Sequence, residues 1–422
     1  LPSILQNFLT KKHGSEKVIG MKTSSELLVV VFGEKNVSHV FNSSNFDARP
    51  QNFFAQLRCL GNKNMGITFA NGNVWKEQRQ FTLKNLKNVG YGKTAMEKEI
   101  QNELSRTLEF LNSNRHESVN IPTLLSESIL NLLWIYVAGE HIPVEKLRRL
   151  LHLFELRGRA FTMAGGLLNQ IPWCRYIIPK LSGYTLIKGL NREIVEIIEV
   201  SNCLFSSIFS DLIIKQHLIN SKSRWRSGET FTEEQLKIVC LDIFIAGSQT
   251  SSNVLTFAIL KVLKSRDIQD RIYSEINSVI GDRMPRWSDS ESLVYTSAFI
   301  LEIHRYYAPV PMAGPRVPEE DTIIDGYFIP KELWEDPHLF KPERFIDDNG
   351  KLIKPKHLYI FGLGRRRCPG DALAKSFVFI TFVGMLQKYR IQCSNGTLPS
   401  DTPTFGLLST PKAFTAEFIS RI

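Results

Sequence analysis

One cysteine of this chain, Cys368, lies in a short glycine-rich loop that leads directly into an apolar helical stretch. The loop is Phe361-Gly-Leu-Gly-Arg-Arg-Arg-Cys-Pro-Gly370, and the apolar stretch runs from Asp371 to Leu386. Pro369 suits the first position of a helix, so the sulfur is expected at the positive end of that helix, where a thiolate is favoured. A buried structural cysteine is the usual alternative for a single Cys, but this loop favours a thiolate held against a metal.

Four more residues of the loop suit a flat, anionic ligand. Gly364 and Gly370 allow a close approach of the backbone, Phe361 can shield the sulfur from water, and Arg366 can reach an anionic group. The pattern Phe-x-x-Gly-x-Arg-x-Cys-x-Gly resembles the haem-binding loop of the cytochromes P-450, the haem-thiolate monooxygenases. The resemblance implies haem b (iron protoporphyrin IX) as the cofactor, with Cys368 as the ligand of its metal.

A glutamate and an arginine three residues apart, Glu302 and Arg305, can pair on one face of a predicted helix. Arg344 follows in the segment Pro342-Glu-Arg-Phe345, where the proline sets a turn. This order resembles the K helix and meander of the same family, and it implies a structural network of Glu302, Arg305 and Arg344 beneath the haem. Such a network holds segments in register more than it adds stability. An exposed helix pair is the alternative for Glu302 and Arg305 taken alone.

The segment Asp242-Ile-Phe-Ile-Ala-Gly-Ser-Gln-Thr-Ser-Ser252 lies inside a long apolar stretch. Its small pair, Ala246 and Gly247, suggests that something lies against the backbone, since a glycine inside a helix costs up to about 1 kcal/mol. The segment resembles the I helix that crosses the distal haem face in P-450s, with Thr250 beside the oxygen. Gln249 stands where an acid is usual, and an amide can organise water but cannot give up a proton. A threonine bonded to its own helix is the alternative for Thr250.

Trp75 and Arg79 are four residues apart in the segment Trp75-Lys-Glu-Gln-Arg79, so an indole N–H and a guanidinium lie one above the other on a helix. Two convergent donors suit a carboxylate. The pair resembles the C helix of the P-450s and implies binding of the haem propionates, joined by Arg366 and by Arg49 from the preceding loop. A cation–π pair on the surface is the alternative.

Hydrophobic periodicity and turn signals predict a mainly α-helical protein with a small β-sheet subdomain. No internal repeat or low-complexity linker divides the sequence, so one domain over 1–422 is predicted, and the resemblance implies the cytochrome P-450 fold with haem between the oxygen helix and the cysteine loop. A hairpin is predicted over 17–22 and 26–32, with further strands at 314–330 and near the C-terminus. Helices are predicted over 1–13, 34–42, 73–86, 96–112, 122–138, 144–163, 186–213, 232–265, 267–280 and 289–306.

The charge balance constrains the partners. The chain has 52 basic and 42 acidic residues and a net charge of +10, yet it carries no nucleic-acid-binding motif, so no nucleic-acid partner is expected. An acidic protein partner is the simpler inference. The resemblance implies an NADPH-cytochrome P-450 reductase, which supplies electrons from NADPH through its flavins, with cytochrome b5 as a further donor. The lysines near the Trp75 helix and Arg365 and Arg367 beside the cysteine can form a complementary face.

The six cysteines show no paired spacing and are expected to be reduced in a cytosol-facing protein. The longest apolar stretch, around 129–137, is far shorter than the ~20 residues that span a bilayer. The closest resemblance is to microsomal P-450s, particularly insect members. It implies that the full-length protein is anchored in the endoplasmic reticulum membrane, on its cytosolic face, and that this chain lacks the anchor.

One junction departs from the family pattern. The segment ending at Lys331 runs directly into the one beginning at Glu332, where relatives place a strand of the main sheet and the loop after it. A strand of ~5–6 residues is therefore expected to be missing, and the deletion is expected to strain the Glu302 network. The stretch 200–228 also fits the family poorly.

The resemblance implies a monooxygenase that inserts one oxygen atom from O2 into a lipophilic small molecule, by hydroxylation or epoxidation. Apolar pocket walls are expected from 50–72, Phe161, Met163, 243–248 and 309–312, and they suit an isoprenoid or steroid as readily as a foreign compound. Two alternatives stay open. One is a rearrangement of a preformed peroxide without a reductase, prompted by Gln249, and the other is a non-catalytic variant, prompted by the deletion.

Overall fold

The structure is a computed structural model. It describes residues 18–22, 27–115, 117–160, 168, 171–204, 230–311, 314–319, 336, 339–355, 358–394, 396, 398–405 and 408–421. The helix expected over 1–13, most of the stretch 200–228 and the junction of Lys331 and Glu332 lie outside these residues, as do Phe161, Met163 and Met312.

Helices make up most of the described chain, and most of them match the predicted ranges within a few residues. They are α1 Glu34–Asn42, α2 Phe53–Arg58, α3 Gly72–Asn88, α4 Thr94–Ser113, α5 Ile121–Ala138, α6 Val144–Ala160, α7 Cys174–Ile177, α8 Tyr184–Leu204, α9 Glu233–Lys264, α10 Arg266–Val279, α11 Val294–Tyr307 and α12 Asp371–Lys388. Short 3₁₀ helices lie at Ser44–Phe46, Trp287–Glu291 and Pro342–Phe345.

The long helix α9 passes through the middle of the core. Its N-cap is Thr232, whose side chain accepts a hydrogen bond from the backbone N–H of Gln235. Residues on every side of its second half, from Ser251 to Leu263, are almost all buried, as expected for a helix that is apolar all round. Its largest packing partner is α5. The helix therefore forms a rigid wall on which other elements can position side chains.

Helix α12 is the second buried helix of the core. Phe377, Phe379 and Phe382 are almost completely buried, and the ring of Phe382 stacks on that of Phe299 from α11. Gly384 allows α12 to approach α4, since a Cβ there would lie 2.3 Å from Leu104 Cδ2. Packing on α4, α9 and α10 thus fixes the helix that follows the cysteine loop.

Strands are short and antiparallel among the described residues. Strands β1 Val18–Lys22 and β2 Leu27–Val31 form the predicted hairpin, with Val18 opposite Val31. Strands β3 Val119–Asn120, β4 Tyr389–Cys393 and β7 Thr415–Ser420 form a sheet in the order β3, β7, β4, and β5 Thr404–Phe405 pairs with β6 Ser409–Thr410. The predicted fold class, mainly α with a small β component, is confirmed.

Several element predictions need correction. No helix was predicted for α2 or α7, and α11 begins at Val294 instead of residue 289, because a 3₁₀ helix occupies Trp287–Glu291. In the predicted strand region 314–330, the described part contains one isolated bridge, between Val317 and Ala48. Helix α2 is capped by Asn52, whose side chain accepts a hydrogen bond from the N–H of Ala55. Hydrophobic periodicity does not detect a capping residue of this kind.

Two helices of the described chain, α5 and α9, are long and apolar enough to cross a membrane by length and composition alone. The sequence analysis predicted no such segment because it considered only uninterrupted apolar stretches, and it therefore missed these two helices. In each helix, 67% of the most apolar window is buried inside the protein. Burial of this kind is typical of core helices, so the two helices are weak grounds for membrane insertion.

Candidate haem site

The cysteine loop is closed by hydrogen bonds that orient the sulfur. The N–H of Cys368 donates to the carbonyl of Phe361 at 2.9 Å. The hydroxyl of Tyr91 donates to the carbonyl of Pro369 at 2.8 Å and accepts from the N–H of Leu373 at 3.4 Å. Helix α12 begins at Asp371 with Gly370 as its N-cap. Pro369 therefore precedes the helix, and the expectation that it occupies the first helical position is wrong.

Cys368 differs from the other described cysteines in its exposure. Cys59, Cys174 and Cys240 are buried and Cys393 is half-buried, whereas Cys368 is exposed, on the wall of a cavity. These five thiols form no disulfide bond. An accessible sulfur at the end of a buried helix is placed to bind a ligand inside the cavity.

The pKa of the Cys368 thiol is raised, chiefly by burial of the group among protein atoms. The N–H of Gly370 and the guanidiniums of Arg79 and Arg367 act in the opposite direction, while Asp371 adds to the increase. Burial of the thiol thus outweighs the effect of the nearby cations on its pKa. A coordinating metal ion would supply the missing positive charge, because a bound thiol is deprotonated outright.

A cluster of cationic side chains lies at one edge of the same cavity. Trp75, Arg49, Arg79, Arg366 and Arg316 all line it. The guanidinium of Arg366 lies over the Trp75 indole, 3.8 Å from the ring centroid. The polar atoms Trp75 Nε1, Arg49 Nε and Arg316 Nε are buried without a hydrogen-bond partner. Buried donors of this kind normally have partners, so the cluster is built to receive acceptor groups.

The charges in this cluster are strongly unbalanced. Asp47 is the counter-charge, 3.7 Å from Arg316 and 2.5 Å from Arg365. Burial and the neighbouring Arg316 and Arg366 lower the pKa of Arg49 to about 9, and burial lowers the pKa of Arg366 to about 10. Burial is the main cause of these lowered pKa values, and the neighbouring cations add mutual repulsion. An anionic ligand at this edge of the cavity would relieve it.

Other donors of the predicted cluster already bond to backbone carbonyls. Arg366 donates to the carbonyls of Asp47 at 2.8 Å and Ala70 at 2.7 Å. Arg79 donates to the carbonyl of Arg367 at 2.5 Å, and Arg49 donates to that of Gly314 at 2.7 Å. The structure thus brings the four predicted residues to one place, with part of their hydrogen-bonding capacity already used.

Helix α9 also lines the cavity. Ala246 is exposed to it, and Thr250 lies one turn further on. The Thr250 hydroxyl donates to the Ala246 carbonyl at 2.8 Å, the helix-bonded state that the sequence left as an alternative. The Gln249 amide donates to the Phe154 carbonyl of α6 at 3.2 Å. This bond directs the Gln249 amide nitrogen toward α6, and the expected role of Gln249 in organising water stays a prediction.

The cavity between these walls has a volume of about 3270 Å³. Pockets for one small ligand typically measure about 300–1,000 Å³. The space is therefore large enough for a sizeable cofactor together with a substrate.

Comparisons with known proteins agree with this site. The family model described as cytochrome P450 matches residues 3–418. A probable cytochrome P450 305a1 of Drosophila melanogaster is 37% identical, with 96% of this chain and 86% of the relative covered. A farnesoate epoxidase of Bombyx mori is 33% identical, with 98% and 87% covered. The human cytochrome P450 2U1 is 28% identical, with 98% and 80% covered. This chain belongs to the cytochrome P450 family.

As a member of the cytochrome P450 family, the protein is an oxidoreductase of the monooxygenase class. Membership also implies a haem cofactor. The residues present fit that group. An accessible cysteine sulfur and the small residue Ala246 line the same large cavity, and an excess of hydrogen-bond donors suits two propionates there, since two arginines and one tryptophan of the cluster have buried unpartnered atoms. The resemblance to insect members is confirmed by the fly and silkworm relatives.

Two glycines expected to make room for the cofactor make room for protein instead. A Cβ on Gly364, whose φ is +67°, would lie 2.0 Å from the Phe41 carbonyl oxygen of α1. A Cβ on Gly247 would lie 2.8 Å from Leu133 Cδ1 of α5. Gly370 differs, since a Cβ there would meet Cys368 Sγ at an ordinary 3.8 Å. In this P450, Gly364 and Gly247 therefore serve packing between elements.

The expected network of Glu302, Arg305 and Arg344 is present. Glu302 is fully buried and its two oxygens accept from Arg305 at 2.7 and 2.8 Å and from Arg344 at 3.3 Å. The N–H of Lys341 adds a further bond at 2.7 Å. All three side chains stay within ion-pair distance, so the strain expected from the deletion does not appear here.

Sequence reasoning missed two residues of the site. Arg316 joins the cationic cluster from a loop far along the chain, and no spacing signal marked it. His304 lies inside the segment Glu302 to Arg305 and lines the cavity, with its ring 6.3 Å from that of Phe361. Burial, with Lys375 nearby, lowers the pKa of His304 to about 4. Its position between the paired Glu302 and Arg305 was the signal that could have found it.

The lengths of the alignments to two relatives support a deletion in this chain. Those to the fly and silkworm relatives extend over 436 and 435 positions, more than the 422 residues of this chain. The relatives therefore carry residues within the aligned span that this chain lacks. The position of the deletion at Lys331 and Glu332 stays a prediction.

Proposed function

We propose that this P450 inserts one oxygen atom from O2 into a lipophilic small molecule, with electrons from NADPH supplied by a flavoprotein, NADPH-cytochrome P450 reductase. The observation that carries the proposal is the accessible sulfur of Cys368, which lines the same cavity as Ala246 and Thr250 of α9. The silkworm relative, named as a farnesoate epoxidase, supports hydroxylation or epoxidation as the reaction.

Haem held at this site supplies the oxygen activation itself, and the protein supplies the ligand, electrostatics and pocket. Cys368 would be the metal ligand, with Phe361 and the Tyr91 hydrogen bonds keeping its loop in place. Trp75, Arg49, Arg79 and Arg366 would hold the propionates. To that set we add Arg316, because its buried Nε has no hydrogen-bond partner.

Thr250 would position a proton-donating water on the α9 side of the cavity. Its hydroxyl hydrogen is engaged by the Ala246 carbonyl, which leaves the lone pairs of Oγ1 free in principle to accept from water. Water held there would be the immediate proton donor, and Thr250 would position it. The Gln249 amide belongs to the contact with α6 instead.

The substrate would lie between α9, α6 and the segment around α2. The wall residues there include Phe53, Phe54, Ile243, Leu133 and Val310. A wall of this composition favours an apolar ligand. The silkworm relative supports an isoprenoid substrate for this P450 as one member of that class.

The reductase would bind the cysteine side of the molecule. Lys76, Lys84, Lys87 and Lys93 are exposed on and after α3, and Arg365 and Arg367 are exposed in the loop of Cys368. These cations can steer an acidic flavoprotein, or cytochrome b5, to the side nearest the metal. Anchoring in the endoplasmic reticulum membrane, with this face in the cytosol, is part of the same proposal.

Two measurements test the function. The reduced, carbon-monoxide-bound protein should show the red-shifted Soret band that requires a thiolate ligand, and Cys368→Ser should abolish it. Purified reductase and NADPH should then support product formation from an apolar substrate. Product formed from a peroxide without NADPH would instead favour peroxide rearrangement, and a thiolate band without any turnover would favour a non-catalytic variant.

A further inference from the structure

Tyr91 lies in the turn between α3 and α4, and its side chain is buried against the start of α12. The backbone of this turn is closely constrained. The N–H of Tyr91 donates to the carbonyl of Leu86 at 2.9 Å, and the residue stands between two glycines with positive φ, Gly90 at +91° and Gly92 at +73°. A Cβ on Gly90 would lie 2.6 Å from that of Ala95 in α4. The turn therefore fixes where the phenol of Tyr91 points.

The Tyr91 hydroxyl bonds to both sides of the junction between the cysteine loop and α12. It donates to the Pro369 carbonyl at 2.8 Å and accepts from the Leu373 N–H at 3.4 Å. Burial above all raises the pKa of this hydroxyl, so it keeps its proton and remains a donor at neutral pH. A side chain 278 positions away along the chain thus supplies a hydrogen bond to the residue that follows Cys368.

The Pro369 carbonyl belongs to the same peptide unit as the N–H of Gly370. This unit is trans, so its C=O and N–H point in opposite directions in one plane. Burial raises the pKa of the Cys368 thiol, and the hydrogen bond from this N–H acts in the opposite direction. The Tyr91 hydroxyl and the Cys368 sulfur therefore lie at the two ends of one peptide dipole. A hydrogen bond to one end polarises the unit and strengthens the bond that the other end makes.

We propose that Tyr91 is a positioning residue for the metal ligand: through the Pro369–Gly370 peptide it strengthens the hydrogen bond from Gly370 to the Cys368 sulfur, and so raises the reduction potential of the bound haem. The inference rests on the proposed function, because that function requires the haem. Partners that hydrogen-bond a ligand atom tune the metal that it holds. A hydrogen bond to sulfur withdraws electron density from the ligand, so it favours the reduced metal, which carries less positive charge.

The test is the one-electron reduction potential of the haem-loaded Tyr91→Phe variant, which keeps the ring and removes the hydroxyl. We expect a lower potential than that of the wild type. Loss of a strengthening of about 10–30% should change the reduction equilibrium by about twofold to threefold, which is about 20–30 mV at 59 mV per tenfold. A redox titration followed in the Soret region measures the shift. An unchanged or higher potential would overturn the proposal.

Tyr136→Phe is the matched control. Tyr136 packs edge-to-face on Tyr91, with 6.3 Å between the ring centroids, and its buried hydroxyl has no hydrogen-bond partner among the residues that the structure describes. This variant makes the same chemical change in the same cluster and should leave the potential unchanged. An equal decrease in the two variants would show that the potential responds to packing, and would overturn the proposal.

Tyr91→Met separates the hydroxyl from the ring. Methionine adapts to irregular spaces in a core, but like phenylalanine it cannot donate to the Pro369 carbonyl, so the two variants should show the same decrease. A variant of either kind that holds haem without a decrease would overturn the proposal. Tyr91→Phe should also unfold more easily, since the Leu373 N–H loses its acceptor. Lower stability with an unchanged potential would mean that Tyr91 has a structural role only.

Failure of this inference and failure of the proposed function give different results. The redox titration requires no reductase, oxygen or substrate. A wild type whose carbon-monoxide complex lacks the thiolate band would contradict the proposed function, and this inference with it. A thiolate band and NADPH-dependent turnover, with equal potentials in the wild type and Tyr91→Phe, would contradict this inference only.

Discussion

The Arg366 guanidinium stacks on the Trp75 indole, 3.8 Å from the ring centroid, while the indole nitrogen beside it is buried without a hydrogen-bond partner. The stack fixes the plane of the ring, and the ring plane fixes the direction of the N–H. Arg366 itself is held by the Asp47 and Ala70 carbonyls. The pair is thus a preorganised donor whose acceptor is a ligand, which for a P450 is a haem propionate.

Trp75→Phe should weaken haem retention by about 5- to 10-fold, because it removes one hydrogen bond worth about 1 kcal/mol and keeps an aromatic ring under Arg366. Haem transfer to an excess of apomyoglobin measures the effect. Trp134→Phe is the matched control, since Trp134 Nε1 is also buried without a partner but lies in the core against Phe244. Equal haem loss in the two variants would contradict the role given to Trp75.

Gly364→Ala should be far more damaging than Gly362→Ala. The two glycines have nearly the same φ, +67° and +68°, so both substitutions carry the same backbone strain, about 1–2 kcal/mol. A Cβ on Gly364 would also lie 2.0 Å from the Phe41 carbonyl oxygen, whereas nothing lies within 4 Å of one on Gly362. Thermal unfolding and haem content measure the difference. Equal losses would show that α1 can move away from the loop.

Residues whose partners lie within a few positions along the chain were predictable. The donors Trp75 and Arg79, the pair Glu302 and Arg305, and the loop of Cys368 all rely on local spacing, and the structure places each beside the cavity or beneath the loop. Arg316 was not predictable in this way, because it reaches the cluster through tertiary packing.

The glycines show a second limit of the sequence. A missing side chain indicates that something approaches closely, but it does not identify what approaches. At Gly247 the neighbour is Leu133 of α5, and at Gly364 it is the Phe41 carbonyl. The direction of Gln249 was similarly undetermined, because it depends on where α6 packs against α9.

Gln249→Glu should not improve this P450, although it restores the acid usual in the family. The Gln249 amide donates to the Phe154 carbonyl at 3.2 Å, and a carboxylate there would face another acceptor. The lost bond and the buried acceptor should cost about 1–3 kcal/mol of stability. Urea unfolding and the rate of NADPH-dependent turnover measure the effect. A faster or better-coupled variant would show that Gln249 faces the oxygen.

Glu302→Gln should lower stability by about 3–5 kcal/mol, because it leaves Arg305 and Arg344 buried without their shared negative charge. Both guanidiniums are less than a tenth exposed and Glu302 is not exposed at all. The control is Glu343→Gln, which breaks a pair with Arg271 at 2.6 Å in which both side chains are exposed; such pairs contribute about 0–1 kcal/mol. Comparable urea midpoints for the two variants would contradict the buried network.

His304 should make the protein sensitive to mild acid. Burial lowers its pKa from 6.5 to about 4, so the unfolded chain takes up a proton at a higher pH than the folded protein does. The folded state is therefore at full stability above pH 6.5 and loses stability as the pH falls toward 4. The loss at the lower limit should be about 3 kcal/mol, from 1.36 kcal/mol per pKa unit. His304→Asn removes the titrating group, so its free energy of unfolding should fall less than that of the wild type over this range. Urea unfolding of the haem-loaded wild type and of the variant at a series of pH values gives the free energy of unfolding of each as a function of pH. Parallel curves for the two proteins would mean that the pKa of His304 is the same in the folded and unfolded states, and would contradict the prediction.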